Sequence, residues 1–401
     1  MTTAWRSTTW LLLGASLILA LSLGTRHGFG LFLPPMSAEF GWGREVFAFA
    51  IALQNLIWGI AQPITGALAD RFGARKAIVV GGVLYMLGLM LMGMADSPLS
   101  LSLSAGLLIG IGLSGTSFSV ILGVVGRAVP PEKRSMAMGI AAAAGSFGQF
   151  AMLPGTLGLI GWLGWSAALL ALGLLVALMI PLAVMIKETP PPASNGPQQT
   201  LVEALREATS HSGFWLLALG FFVCGFQVVF VAVHLPAYLV DHHLPALTGT
   251  TVLALVGLFN IFGTYIAGWL GGRMSKPRLL SVLYLLRGVV ITLFLVAPLT
   301  QWSAYLFGIA MGVLWLSTVP LTNGTVATLF GVRNLSMLGG IVFLFHQLGS
   351  FLGGWLGGYL YDTTGSYDLV WQISIGLSLM AAALNWPVRE VPVARLQGAP
   401  A

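Results

Sequence analysis

The chain has 401 residues, of which 57% are apolar and only 7% charged, against about 25% charged in an ordinary water-soluble protein. Stretches of about 20 apolar residues cross a hydrocarbon layer as helices, and this composition excludes a cytosolic enzyme. The formal net charge of +6 invites a nucleic-acid reading, but the placement of the basic residues gives it another origin.

Apolar runs broken by charged, Pro or Gly-rich turns fall near residues 9–34, 46–69, 77–95, 99–126, 136–160, 163–187, 212–240, 249–272, 277–298, 302–328, 335–360 and 368–389. They predict an all-α membrane protein with twelve transmembrane helices, numbered here spans 1 to 12. The first run exceeds the apolar core of a signal peptide and leads into a second span, so it reads as a retained helix. Cytoplasmic loops keep positive charge, and with an even number of spans both termini share a side. If that side is the cytoplasm, fifteen of the eighteen basic residues lie inside: Arg6, Arg71, Arg75, Lys76, Arg127, Lys133, Arg134, Lys187, Arg206, Arg273, Lys276, Arg278, Arg333, Arg389 and Arg395. Only Arg44 falls in an outer loop, and the outer loops hold Glu39, Glu45, Asp96, Asp241, Asp362 and Asp368. The excess positive charge is therefore an insertion signal, and no nucleic-acid partner is expected. The single cysteine, Cys224, leaves no intrachain disulfide to form.

Between the sixth and seventh spans the composition changes. TPPPASNGPQQT reads as a Pro-rich linker and LVEALREATS as a short amphipathic helix on the membrane surface. The expected organisation is a six-helix bundle over 1–187, a cytoplasmic linker over 188–211 and a second six-helix bundle over 212–401. The halves repeat at an offset of about 202 residues. Leu33 and Pro34 match Leu235 and Pro236; Gly66, Leu68 and Arg71 match Gly268, Leu270 and Arg273; Ser135, Gly139, Ile140 and Gly148 match Ser336, Gly340, Ile341 and Gly349. Repeats of this kind belong to transporters in which two bundles rock about a site near the midplane.

Few ionisable groups lie within the spans: Arg26 in span 1, Arg287 in span 9 and His346 in span 11, with no Asp or Glu in any of them. A cation site or an acidic proton relay needs a buried carboxylate, whereas two arginines and a histidine suit an anion, most simply a carboxylate held by a guanidinium and amide donors. The alternatives are a snorkelling Arg26 and a neutral His346 bonded to a carbonyl. Further candidate donors are Gln54 and Asn55 on span 2, Gln149 on span 5, Gln227 and His234 on span 7, Asn260 on span 8, Asn323 on span 10 and Gln347 on span 11. Each could equally be interhelical glue. Gln54, Trp58 and Gln62 form one polar-aromatic stripe. Asp241, His242 and His243 lack a third spaced ligand and read as a solvated turn, so no metal is expected; no cofactor is expected either, and a phosphate-binding G-x-x-x-x-G-K-[ST] loop is absent.

The sharpest motif is GALADRFGARK at residues 66–76. Gly66 permits close helix approach, Asp70 can accept from helix N-terminal amides or an arginine, Gly73 makes the turn, and Arg71, Arg75 and Lys76 hold the loop inside. This signature resembles the loop between the second and third helices of the major facilitator superfamily, where such a loop latches the cytoplasmic side. RAVPPEKRSMAMG at 127–139 is similar to that superfamily's loop between helices 4 and 5, which implies that Arg127, Glu132 and Arg134 join the same charge network. The counterpart GWLGGRMSKPR has Gly272 where Asp70 stands, so its latch should be weaker. Span 9, with Arg287, would be peripheral in the superfamily's arrangement.

RHGFGLFLPPM, EFGWGREVF and LFHQLGSFLGGWLGGYLYDTTGSYDLVW together resemble bacterial members of the monocarboxylate porter family over essentially the whole chain. The resemblance implies that Arg26 occupies the place of a helix 1 basic residue handling proton and substrate. Better-known members carry an Asp and an Arg four residues apart on helix 8, where this chain has Asn260 and Thr264. His346 or Arg287 would then supply the positive partner, or the substrate carboxylate would itself carry the proton. The expected function is secondary active transport of a small organic anion, a monocarboxylate, across a bacterial inner membrane by alternating access and proton symport, by a monomer embedded in lipid. The rivals are a proton-driven exporter of hydrophobic drugs, for which GSFGQFAMLPG has Gly and Pro in a different spacing, and a membrane sensor or scaffold, which would need a larger soluble domain than any loop provides.

Overall fold

The computed structural model describes residues 2–42, 44–186 and 199–397. The Pro-rich linker over 187–198 lies outside the described residues, as do the side chains of Arg6, Arg44 and Glu45. Among the described residues every regular element is helical. Twelve segments are long and apolar enough to cross a bilayer: Thr8–Phe40, Val46–Phe72, Ala74–Met92, Pro98–Ala128, Pro131–Leu163, Trp165–Val184, Ser212–Asp241, Leu247–Gly271, Lys276–Val296, Gln301–Phe330, Leu335–Thr364 and Asp368–Asn385. They correspond one for one to spans 1 to 12.

Span 1 extends beyond its predicted end. After His27 the chain makes a 3-10 turn over Phe29–Phe32 and restarts as a helix at Leu33–Phe40. Pro34 and Pro35 fall in the first turn of that helix, where a missing N–H costs no intrahelical bond. Burial runs opposite to that of a soluble protein at the surface: Phe49, Ile64, Leu174 and Leu293 are all more than half exposed. Trp162 and Trp302 at one set of span ends, and Trp10 and Trp386 at the other, are exposed where aromatic rings mark a membrane–water boundary.

Spans 4 and 10 are broken near their middles. Span 4 ends its first helix at Thr116 and restarts at Phe118, with Ser117 in extended conformation (φ −110°, ψ −167°). Span 10 consists of helices Gln301–Leu314 and Thr318–Phe330, interrupted over 315–317. Within a hydrocarbon layer the backbone groups freed by such breaks must be satisfied by neighbouring spans.

The short linker helix is Leu201–Thr209. Thr200 Oγ1 accepts from the Glu203 amide (3.2 Å) and a Glu203 carboxylate oxygen accepts from the Thr200 amide (2.7 Å), a reciprocal cap. Those Thr200 donors hold the Glu203 carboxyl below the usual carboxylate range. Ala204 and Ala208 are buried, while Val202 and Leu205 stay exposed, leaving an apolar edge of the kind that rests on a bilayer surface. The carboxylate of Glu207 pairs with Arg395 (3.1 Å), which also donates to the Phe330 carbonyl (3.0 Å).

The chain divides into two compact units. Unit 1 comprises residues 1–130, 144–198 and 333–340; unit 2 comprises 131–143, 199–332 and 341–401. Small residues bring the backbones together in each. In unit 1 a Cβ on Gly66 would strike the Ser336 carbonyl, and one on Gly340 would lie 2.8 Å from the Gln62 carbonyl oxygen. In unit 2 a Cβ on Gly139 would lie 2.7 Å from the Cα of Gly268. The repeat pairs Gly66 with Gly268 and Gly139 with Gly340, so the two crossings use the same two places of the repeat. Gly139→Val should therefore lower the melting temperature of the detergent-solubilised protein, through an overpacking cost of about 1–3 kcal/mol. Gly155→Ala, whose Cβ meets nothing within 4 Å, should leave it unchanged; equal melting of the two variants would refute the close-crossing account.

Candidate functional site

Arg26 lies near the end of the Thr2–His27 helix and is only partly buried. Its Nη2 donates to Asn55 Oδ1 on span 2, and its guanidinium lies 5.1 Å from the centroid of the Trp58 indole. Its Nε is buried and without a hydrogen-bond partner. No carboxylate among the described residues forms an ion pair with it. A guanidinium held by an amide oxygen and an aromatic face keeps its charge and donor capacity, the condition for binding an anion through charge-assisted hydrogen bonds.

The polar-aromatic stripe of span 2 turns toward span 4. Gln54 Nε2 donates to the Ala105 carbonyl (2.7 Å) and Gln62 Nε2 to the Ser114 carbonyl (2.8 Å), an acceptor released by the break at Ser117. Trp58 Nε1 donates to Ser117 Oγ (2.9 Å) and Gln62 Oε1 (2.8 Å), and Ser117 Oγ donates to Gln62 Oε1 (2.9 Å). Trp58 thus joins two systems, with Arg26 against its ring and the span 4 break at its N–H. Ser114, Ser117, Thr116 and Tyr85, which complete this network through bonds such as Ser22–Thr116 and Tyr85 to the Ser22 carbonyl, were not singled out by sequence. The signal was the run LSGTSFS over 113–119, with four hydroxyls in the middle of a span. Gln149 on span 5 is 5% exposed, and its side chain makes no hydrogen bond to another described residue.

In unit 2 the ionisable residues meet around the span 10 break. Arg287 is completely buried; its Nε and Nη2 donate to the Leu314 carbonyl (3.0 and 2.5 Å), Nη2 also to the Trp315 carbonyl, and Nη1 to Gln227 Oε1 (3.4 Å). Gln227 is itself fixed by its Nε2 donating to the Ser374 carbonyl and Ser378 Oγ. Asn260 Oδ1 accepts from the Leu316 amide (3.0 Å), and Asn323 Nδ2 donates to the Val319 carbonyl (3.1 Å) within its own helix. The side chains of Gln54, Gln227, Asn260 and Arg287 are thus engaged in interhelical contacts. His346 is 8% exposed, between the rings of Phe343 (5.4 Å, parallel) and Phe221 (4.8 Å), with Nδ1 3.2 Å from Gln347 Oε1. Cys224, which sequence reading passed over, places its thiol 3.2 Å from Thr318 Oγ1 and in hydrogen-bonding range of His346. His234 bonds the Gly354 carbonyl (2.8 Å) and the Tyr367 hydroxyl (3.3 Å). At the end of span 7, His242 bonds the Tyr238 carbonyl and His243 has φ +63°.

The loop motif forms a compact assembly in unit 1. The Asp70 side chain is fully buried and takes three donors, Arg127 Nη1 (2.7 Å) and the Ser336 amide (3.2 Å) on Oδ1 and the Met337 amide (2.8 Å) on Oδ2, with the positive end of span 11 behind those amides. Gly66, one turn earlier, admits the Ser336 backbone, and Gly73 has φ +93°, which a side chain rarely adopts. Arg71 lies over the Phe72 ring at 5.1 Å, and Arg75 is exposed. Glu132 is exposed in the first turn of span 5, and Arg134, half-buried, lies within its electrostatic reach; these two belong to unit 2. In span 5 the places that match Ser336 and Met337 are Ser135 and Met136, and Gly272 stands in place of Asp70.

The Major Facilitator Superfamily model matches residues 11–334. The chain belongs to the Major Facilitator Superfamily. It is 29% identical to monocarboxylate transporter 11 of Homo sapiens over 374 residues, covering 90% of this chain and 78% of that protein. It is 24% identical to the oxalate:formate antiporter of Oxalobacter formigenes, covering 92% and 88% of the two chains. Among solved structures it is similar to the proton:xylose symporter XylE, with a TM-score of 0.75 at 14% identity over 96% of each chain, a likeness of fold. This superfamily member is thus a multi-pass membrane transporter of small molecules and not an enzyme.

Asp70→Ala removes the carboxylate from a part-buried guanidinium and two amides, a local cost of up to about 3–5 kcal/mol. Hydrogen exchange at Ser336 and Met337 should accelerate strongly in this variant and less in Asp70→Asn, which keeps an acceptor oxygen. Unchanged protection in Asp70→Ala would show that the carboxylate does not hold this end of span 11.

Proposed function

We propose that this transporter moves a small organic anion, a monocarboxylate, by alternating access with proton symport. The observation that carries the reading is Arg26, a guanidinium with a buried, unbonded Nε, no carboxylate partner among the described residues and an indole beneath it. Removing a charge from water without a countercharge is costly, and an arriving carboxylate relieves that cost at Arg26. The names of the relatives, monocarboxylate transporter and oxalate:formate antiporter, support the same substrate class.

In this reading Arg26 binds the carboxylate in unit 1, with Gln149 of the same unit as a further polar contact, and His346 and Asn323 act within unit 2. Gln54, Gln227 and Asn260 contribute by holding the discontinuous spans. His346, which has Gln347 and Ser350 as polar neighbours, exchanges the proton. Gly66, Asp70, Arg71, Gly73, Arg75 and Arg127, with Glu132 and Arg134, act as cytoplasmic gating elements, the Asp70 contact being the part that must break. Two six-span repeats, over 1–187 and 212–401, flank the linker at 188–211. Both termini lie on the cytoplasmic face of a bacterial inner membrane, because that choice puts fifteen of eighteen basic residues inside. The protein works as a monomer.

Replacing Arg26 by Gln should raise KM for carboxylate counterflow in liposomes at least tenfold, equivalent to about 1.4 kcal/mol, the lower range for a charge-assisted hydrogen bond. His346→Gln should leave exchange largely intact and remove the pH dependence of net uptake. Unimpaired exchange and an unaltered pH profile in the two variants would end the proposal.

A further inference from the structure

Arg287 is the largest charge buried in unit 2, and its surroundings differ from those of Arg26 in a way that assigns it another task. Four of its five N–H donors are used, on the Leu314 and Trp315 carbonyls and on Gln227. In a continuous helix the Trp315 carbonyl would receive the Val319 amide; here that amide turns to the Leu316 carbonyl instead (3.0 Å). Arg287 therefore takes up carbonyls that the break in span 10 sets free. Asn260 does the complementary work by accepting from the Leu316 amide. The guanidinium also sits at the C-terminal, negative end of the Gln301–Leu314 helix, the favourable place for a cation.

Every acceptor on Arg287 is formally neutral. No described carboxylate pairs with it, and the titratable groups around it are Tyr284, whose ring centroid lies 5.4 Å from the guanidinium carbon, Cys224 and His346. A helix terminus carries only about half an elementary charge, so unit 2 keeps a net positive charge at this point. In a low-dielectric interior such a charge acts beyond hydrogen-bond distance.

We infer that Arg287 is a positioning residue: it clasps the two pieces of span 10 and gives unit 2 a fixed positive charge that favours an anionic substrate, without ligating that substrate itself. This rests on the anion reading of the preceding subsection. It separates two roles that the sequence presents alike, since the Arg26 Nε is unbonded whereas Arg287 commits Nε and both terminal nitrogens to carbonyls and Gln227.

Cys224 provides the means of testing charge apart from clasp. Its thiol faces the Trp315 carbonyl that Arg287 holds (3.9 Å) and the Thr318 hydroxyl. Cys224→Asp places a carboxylate beside the guanidinium while leaving its carbonyl partners in place. Full-length protein in liposomes would be assayed for counterflow of labelled formate, acetate, lactate and oxalate, with melting temperatures measured in detergent. Cys224→Asp should raise KM about tenfold without lowering the melting temperature, and Cys224→Ser should shift KM less than twofold. Arg287→Lys keeps the charge but loses the planar fork, so KM should stay within about threefold while maximal exchange falls about tenfold; Arg287→Gln should impair both. Equal KM increases in Arg287→Lys and Arg287→Gln, or an unchanged KM in Cys224→Asp, would overturn the role of the charge, including the case in which one of these variants fails to fold and the other carries the test. Wild-type protein that exchanges none of the four anions would overturn the substrate reading itself, and the inference with it.

Discussion

A backbone that leaves helical geometry inside hydrocarbon must find a partner for every amide and carbonyl it frees, because no water is there to supply one. Spans 4 and 10 both leave it, and the polar residues of their neighbours are arranged around that fact. Gln62 takes the Ser114 carbonyl and Trp58 the Ser117 hydroxyl in unit 1; Arg287 and Asn260 take the two sides of the gap at 315–317 in unit 2. The interior amides of this chain therefore serve first to make discontinuous helices possible, and only those left over are available to a substrate.

The two halves solve the same problem with different chemistry. At the repeat offset of 202, Arg287 corresponds to Tyr85 and Asn260 to Trp58. Unit 1 satisfies its break with neutral hydroxyls, an indole and amides, and carries its charge at Arg26, which remains partly uncovered. Unit 2 uses its guanidinium as the clasp and encloses it completely. A charge spent on backbone carbonyls stabilises structure and a field; a charge with an unbonded Nε can still meet a ligand.

The loop motif shows a similar division. Asp70 caps the amides at the start of span 11 and holds Arg127, so one carboxylate satisfies a helix terminus and a cation together. The related place is Gly272, and there Gly139 and Gly268 meet by backbone contact alone. One crossing thus depends on a charge and the other on the absence of side chains.

Much of this was legible in the residues themselves. Apolar runs of the length of a bilayer, the basic and acidic sorting of loops, the paired glycines at 66 and 268 and at 139 and 340, and the GALADRFGARK loop each express a constraint that acts along the chain, so their spacing reveals them. The candidates inside the spans were harder. Gln54, Asn260, Gln149 and Asn323 are the same kind of residue, each within a predicted span. Only the tertiary structure separates a Gln149 without a hydrogen bond to another described residue from an Asn260 that receives the Leu316 amide, or a half-covered Arg26 from a buried Arg287 with four of its five donors bonded. The reason is physical: insertion and helix formation are governed by local sequence, whereas the partner of a buried donor is set by which neighbouring backbone happens to be broken beside it, and that is decided by packing across segments far apart in the chain.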